Sequence, residues 1–418
     1  MITPNYRNCV DPHMARGLTA LMIVFAACAS ASGPQVLHSF GVRLNDGSDL
    51  YAGLVMDAAG NLYGAAAEGG THNAGVVYRL SPGSNGWSET IFYNFRGGTQ
   101  DGSGPHGTLV FDASGNLYGT TASGGLGSNI CNGGCGVVFE LTPSSSGPWT
   151  ETILHRFSGP DGSVAYPGVV LDASGNLFGA TTGGGAANLG LVYELAAGTW
   201  TQSILHSFTG KPDGNALYAT PVLDAAGNVY GVTYYGGAQN RGTVFELSPD
   251  GNGTWTETIL HNFRGGTDGA NPMAALIFDQ KGALYGTTIA GGTANYGTAF
   301  KLAKNSGGAW TEILLHAFLG VNAQDAGYPN GLVFDSVGDL YGSSSGGGQF
   351  NPGTIFELSR NSSGGWSESV LYSFTAGDDG AYPSSTLIID PAGNLYGTTL
   401  WGGPSGDTTG GVAFKYTP

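Results

Sequence analysis

The string DASGNLYGTT at 112–121 returns as DASGNLFGAT (172–181), DAAGNVYGVT (224–233) and PAGNLYGTT (391–399). Its opening aspartate recurs seven times, at Asp57, Asp112, Asp172, Asp224, Asp279, Asp335 and Asp390, in steps of 55, 60, 52, 55, 56 and 55 residues. A repeat of this length constrains the fold more than composition can, because each unit must bury its apolar faces against its neighbours. Two further motifs keep the same count of seven. One runs from VVYRL (76–80) through VVFEL (137–141) to VAFKY (412–416), and the other from LHSF (37–40) through LHRF (154–157) to LYSF (371–374).

Each unit reads as four strands. The run into Asp is strand A, NLYGTT is strand B, the VFEL segment is strand C, and WTETILHRF (149–157) is strand D. Asp caps the A-to-B turn and Gly takes its positive φ. In strand D, period-2 alternation places Trp149, Glu151, Ile153 and His155 on one side. Four strands in about 55 residues is the size of a propeller blade. The chain stops at VAFKYTP, after strand C of the seventh unit, and PQVLHSF (34–40) supplies an orphan strand D at the other end. A ring uses that split and an open solenoid does not. The expected fold is therefore all-β: a seven-bladed β-propeller of four-stranded antiparallel blades over 34–418, closed by its N-terminal strand. Closure also removes exposed sheet edges.

The string G-N-L-Y-G-T-T-x-x-G-G-x(n)-G-T-V-F-E-L resembles the tandem repeat of the bacterial choice-of-anchor GloVer-containing proteins, over essentially all of 34–418. That resemblance implies an exported, surface-associated protein with no established activity. This chain departs from the pattern by ending at Pro418 without a C-terminal sorting tail. More loosely, D-x-x-G-N-L-Y resembles blade hairpins of two-component-regulator and streptogramin-lyase propellers, which speaks to fold and not to chemistry.

Residues 1–33 read as an export leader: Arg16, the apolar run LTALMIVFAACA (18–29), and an Ala29-Ser30-Ala31 cleavage site. Met14 offers a second start, and FAAC (25–28) offers a lipobox with Cys28 as the lipidated residue. The expected location is extracytoplasmic, secreted or surface-tethered, with no transmembrane span. In that setting Cys131 and Cys135 of CNGGC can close as a small disulfide. A metal site there would lack a nearby His or third Cys. With 30 acidic and 14 basic residues, the net charge of −16 argues against a nucleic-acid partner. A monomer is expected.

Residues present in every unit are most simply scaffold. The turn aspartates offer too few oxygens for an EF-hand-like calcium loop. His38, His155, His206, His261 and His316 share one position with Tyr93 and Tyr372, which suits a half-buried hydrogen-bonding role. Trp87, Trp149, Trp200, Trp255, Trp310 and Trp366 should cover blade-to-blade packing. Asp46, Asp101, Asp161, Asp213, Asp268, Asp325 and Asp379 lie in the D-to-A links, usually before Gly. They read as turn residues that would form a carboxylate rim near the central channel, with a cation there as the sharper alternative. No cofactor is expected.

Candidate ligand residues come from loops that vary between units, chiefly the B-to-C loops. Tyr234, Tyr235, Arg241, Tyr296, Phe350, Trp401, Glu68 and His72 are the candidates. Aromatics among polar groups suit a glycan, a peptide or an envelope protein. Neither H-E-x-x-H nor a phosphate-binding Gly loop with Lys is present, and the one G-x-S-x-G string, GSSSG (342–346), falls inside the repeated strand B and not at a nucleophile elbow. Glu68, His72 and His106 leave a propeller-type lyase or hydrolase as the alternative, and a purely structural envelope component as a third reading.

Overall fold

The computed structural model describes residues 33–144, 149–404 and 410–418. The leader, Met14 and Cys28 lie outside the described residues. Residues 33–418 form one compact unit of strands with a single short 3-10 turn among the described residues. In the second blade, Val110–Phe111, Leu117–Gly124, Val137–Thr142 and Thr150–Arg156 pair successively and antiparallel. Seven sheets repeat this order. The ring closes where Gln35–Ser39 pairs antiparallel with Val412–Tyr416, joining Val36 to Phe414 and Ser39 to Val412. No helix among the described residues is long and apolar enough to cross a membrane.

The repeated motifs build this frame. Asp112 Oδ1 accepts the Ser114 and Asn116 amides at 2.8 and 2.9 Å. Its Oδ2 accepts from Asn116 Nδ2 at 2.8 Å and from the Tyr118 hydroxyl at 3.2 Å. The turn thus consumes Asp, Asn and Tyr together. Gly119 follows because the Phe139 ring lies across it; a Cβ there would sit 2.6 Å from that ring. The phenylalanine that ends each LHxF motif is fully buried and meets an aromatic of strand C in the next blade. Phe40–Tyr78, Phe95–Phe139, Phe208–Phe245 and Phe374–Phe414 have centroids 4.7, 5.1, 5.2 and 5.3 Å apart. Each such pair contributes about 0.5–1.5 kcal/mol beyond its area burial. The core is therefore a set of layers between blades. The tryptophans cover it from outside: Trp149 stacks on Phe92 at 4.6 Å and Trp87 meets Tyr396 at 6.4 Å.

Strand D departs from the alternation read in the sequence. Phe139 faces Ile153 while Val138 faces His155, so Leu154 is an extra residue in a β-bulge. The same shift recurs in every blade, including between Val36 and His38. The bulge moves His155 off the face of Ile153 and re-aims it at the neighbouring blade.

Candidate binding site at the channel mouth

The D-to-A links and the B-to-C loops share one face, and the chain enters strand A from that face through a kink. Asp49, Gly104, Val164, Ala216, Asn271, Tyr328 and Tyr382 occupy equivalent places with φ between +55° and +66°. Six of them donate their amides to the preceding blade's B-to-C loop: Gly104, Val164, Ala216, Asn271, Tyr328 and Tyr382 bond carbonyls of Ala74, Cys135, Leu189, Arg241, Tyr296 and Pro352. The left-handed turn directs the next side chains toward the axis, where Tyr51, His106, Tyr166, Tyr218, Met273, Asn330 and Ser384 line a cavity of about 360 Å³.

One half of that mouth is an aromatic arc. Tyr51 stacks on His106 with centroids 4.7 Å apart and planes within 13°. His106 meets Tyr166 at 4.6 Å, Tyr166 stacks on Tyr218 at 5.9 Å, and Tyr218 meets Tyr234 at 5.3 Å. Tyr234 then meets Tyr235 edge-on at 4.5 Å. The other half is Met273, Ile289, Pro329, Asn330 and Ser384. An adjoining space of about 120 Å³ is lined by small residues including Gly53, Thr108, Gly168, Thr220 and Thr386.

Electrostatically the arc is neutral with hydroxyl donors. Burial, then neighbouring acidic or phenolic groups, raises the Tyr51, Tyr218 and Tyr234 phenols, so they stay protonated. Burial lowers His106, against a smaller opposite push from its bond to Gly104. His106 Nδ1 lies 2.9 Å from the Gly104 carbonyl, an acceptor only, so Nδ1 carries the proton and neutral Nε2 is left as an acceptor.

The residues expected from the sequence divide. Tyr234 and Tyr235 join the arc. Trp401 pairs instead with Tyr382 at 5.0 Å, and Tyr296 with Tyr328 at 5.3 Å. Arg241 lies beside Gly265, Phe350 is exposed in its loop, and Glu68 sits in a two-residue strand against Gly47–Ser48. His72 is exposed and bonded to Thr71 at 2.8 Å, and it is not among the residues that line the mouth. Tyr51, Tyr166 and Tyr218 were not singled out in the sequence. Their signal was available: each stands six residues before a turn aspartate, as does His106.

The seven link aspartates do not form a channel rim. They sink into the blade junctions, where each carboxylate caps a turn beside the histidine or tyrosine of the preceding blade and bonds it at every junction except that of His38. Asp213 accepts the Gly214 amide at 2.6 Å, the Thr209 amide at 2.9 Å and His206 Nε2–H at 3.2 Å. Tyr372 donates to Asp379 at 2.9 Å in the same role. A glutamate on strand D of the next blade completes four clusters: His38–Asp46–Glu89, His206–Asp213–Glu257, His261–Asp268–Glu312 and His316–Asp325–Glu368. Burial, then the Asp charge, raises Glu257 to about 7; burial, then the shared bond with Asp325, raises Glu368 to about 8. Cys131 and Cys135 are joined by a disulfide with Cα atoms 5.2 Å apart.

A model of the Gloeobacter/Verrucomicrobia repeat matches residues 22–147 and 127–325. The chain belongs to the Gloeobacter/Verrucomicrobia repeat family. Within that repeat, the scaffold positions are those described above and the mouth residues vary from blade to blade. No curated protein matches the sequence. Among solved structures, the chain is similar to a hypothetical selenium-binding protein from Sulfolobus tokodaii, with TM-score 0.54 and 12% identity over 77% of this chain and 79% of that one. It is also similar to a fungal alcohol oxidase of the AA5 family solved in complex with copper, with TM-score 0.52 and 17% identity over 92% of this chain and 77% of that one. At these identities the likeness is one of fold.

Proposed function

We propose that this repeat protein is an exported binding scaffold whose channel mouth takes a glycan. The observation that carries the reading is the arc of Tyr51, His106, Tyr166 and Tyr218 around one half of a 360 Å³ cavity, continued beyond the cavity wall by the ring contacts of Tyr234 and Tyr235. Aromatic faces pack against the C–H faces of sugar rings, and the phenols and His106 Nε2 supply donors and an acceptor for hydroxyls. The neutral mouth favours such a ligand over a strongly charged one.

The lyase or hydrolase alternative has one point in its favour, a neutral imidazole with a fixed tautomer at the mouth. General acid–base chemistry there needs a second titratable group within hydrogen-bond reach. The bonds described for His106 and His72 run to Gly104 and Thr71.

A glycan array followed by calorimetry tests the proposal. Saturable binding is expected, weakened at least tenfold in Tyr166→Ala and in Tyr218→Ala with little change in melting temperature. Trp401→Ala separates a ligand confined to the arc, for which affinity holds, from one that spans the face. An array without a single saturable ligand would overturn the glycan reading, and capture of a peptide competed by Tyr218→Ala would replace it.

A further inference from the structure

The junction between the seventh and first blades differs from the others. His38 comes from the ring-closing strand, Asp46 from the following link, and Glu89 from the outer strand of the first blade. Their donor atoms lie within 4.8 Å of one another. The three side chains are 8%, 1% and 7% exposed. His38 Nε2 is 3.5 Å from Asp46 Oδ1 and 3.5 Å from Glu89 Oε2, yet it makes no hydrogen bond. Asp46 Oδ2 and Glu89 Oε1 are buried without a partner as well, while Asp46 Oδ1 accepts the Gly47 amide at 2.9 Å. At the junctions of His155, His206, His261 and His316 the imidazole instead closes to 3.1–3.3 Å on its aspartate and bonds it.

We propose that His38, Asp46 and Glu89 bind one divalent transition-metal ion, of which Zn²⁺ is the fitting probe. Buried polar atoms are normally paired, and here His38 Nε2 stands unbonded 3.5 Å from one oxygen of each acid, while the other oxygen of each, Asp46 Oδ2 and Glu89 Oε1, has no partner. Donors held about 2.1 Å from a tetrahedral ion stand roughly 3.4 Å apart, which is the spacing His38 keeps to both acids. One nitrogen with two carboxylates suits a borderline ion, and a divalent charge balances two buried carboxylates. Calcium calls for six or more oxygens. The ligands come from three successive segments, so the ion clamps the ring-closing strand to the first blade.

The test uses the full chain, stripped with EDTA and titrated with zinc chloride, with calcium chloride as control. One Zn²⁺ per chain is expected, with a melting midpoint that rises with free Zn²⁺ and does not respond to Ca²⁺. Glu89→Gln should weaken Zn²⁺ at least tenfold and keep the metal-free midpoint. Glutamine is tolerated at this place, since Gln202 stands there in the third blade and donates to the Asp161 carbonyl at 2.8 Å. His206→Asn, at a junction whose imidazole is already bonded, should leave Zn²⁺ affinity unchanged. No saturable Zn²⁺ binding, equal binding in Glu89→Gln, or loss of the ion in His206→Asn would each overturn the assignment. X-ray absorption on the unmodified protein keeps the test independent of any variant's folding: one imidazole with oxygen donors supports the site, and two or more imidazoles or sulfur sink it.

Discussion

Val164 stands at φ +56°, a region where a β-branched residue is rarely found. A left-handed backbone costs an L-residue roughly 1–2 kcal/mol, and glycine avoids that cost while losing about 0.5–1 kcal/mol in chain entropy. Gly104 fills the same place in the second blade. Val164→Gly is therefore expected to leave the melting midpoint unchanged or raise it slightly, while Val192→Gly on a buried strand lowers it by several degrees. A comparable fall in both variants would show that the kink carries no strain. Strain recurring around one rim fits a frame that holds side chains for binding. At this scale the sequence was legible where all blades agree. The turn aspartates, the LHxF histidines and the tryptophans could be assigned to scaffold because their chemistry must suit seven places at once. Tyr51, His106, Tyr166 and Tyr218 share a position but not an identity with Met273 and Ser384, so counting motifs passed over them.

The strands themselves were readable from their turns and alternation, and so was the split blade. The bulge was not, because Leu154 in TILHRF fits an unbroken alternation as well as an inserted residue. Missing it hid the clusters in the blade junctions, since only the bulged strand turns the histidine toward the aspartate of the next link. The ring-closing element supports a direct prediction. Removing residues 34–40 deletes the pairing with Val412–Tyr416 and the buried Leu37 and Phe40. Loss of a buried phenylalanine alone costs about 3–5 kcal/mol, and the ladder bonds add about 1 kcal/mol each. Thermal melting of the truncated chain should show a midpoint lower by ten degrees or more, and recovery when a peptide spanning 33–42 is added. An unchanged midpoint would mean that the ring holds without this strand.

For the whole molecule, the junction carboxyls set a common pH dependence. Glu257 and Glu368 titrate near 4.5 in the unfolded chain and are pushed up to about 7 and about 8 in the ring, by burial first and the paired aspartate next. Stability tied to their protonated form is whole below pH 4.5 and is lost as pH climbs toward 8. His206 acts in the same sense: burial lowers it, but the Asp213 bond and the nearby acids raise it overall. Asp161 and Asp213 run the other way. Against burial, their histidine and amide bonds hold them down to about 2, so their contribution is present above pH 3.8 and lost toward pH 2. Denaturation midpoints should peak between about pH 4 and 6 and decline by pH 8, with a shallower decline in Glu368→Gln. A midpoint that rises steadily from pH 5 to 8 would contradict this account.

The pairing of Gln35–Ser39 with Val412–Tyr416 also governs the order in which the molecule can be completed. The earliest strand of the propeller has its hydrogen-bonding partner at the far end of the chain. At synthesis rates of roughly 5–20 residues per second, that strand waits on the order of tens of seconds before its partner exists. During that interval both the first blade's flank and the growing last edge are open to other chains. Yield from expression or refolding should therefore fall with crowding of nascent copies, and exchange of the first strand between two molecules is the misassembly that this topology invites.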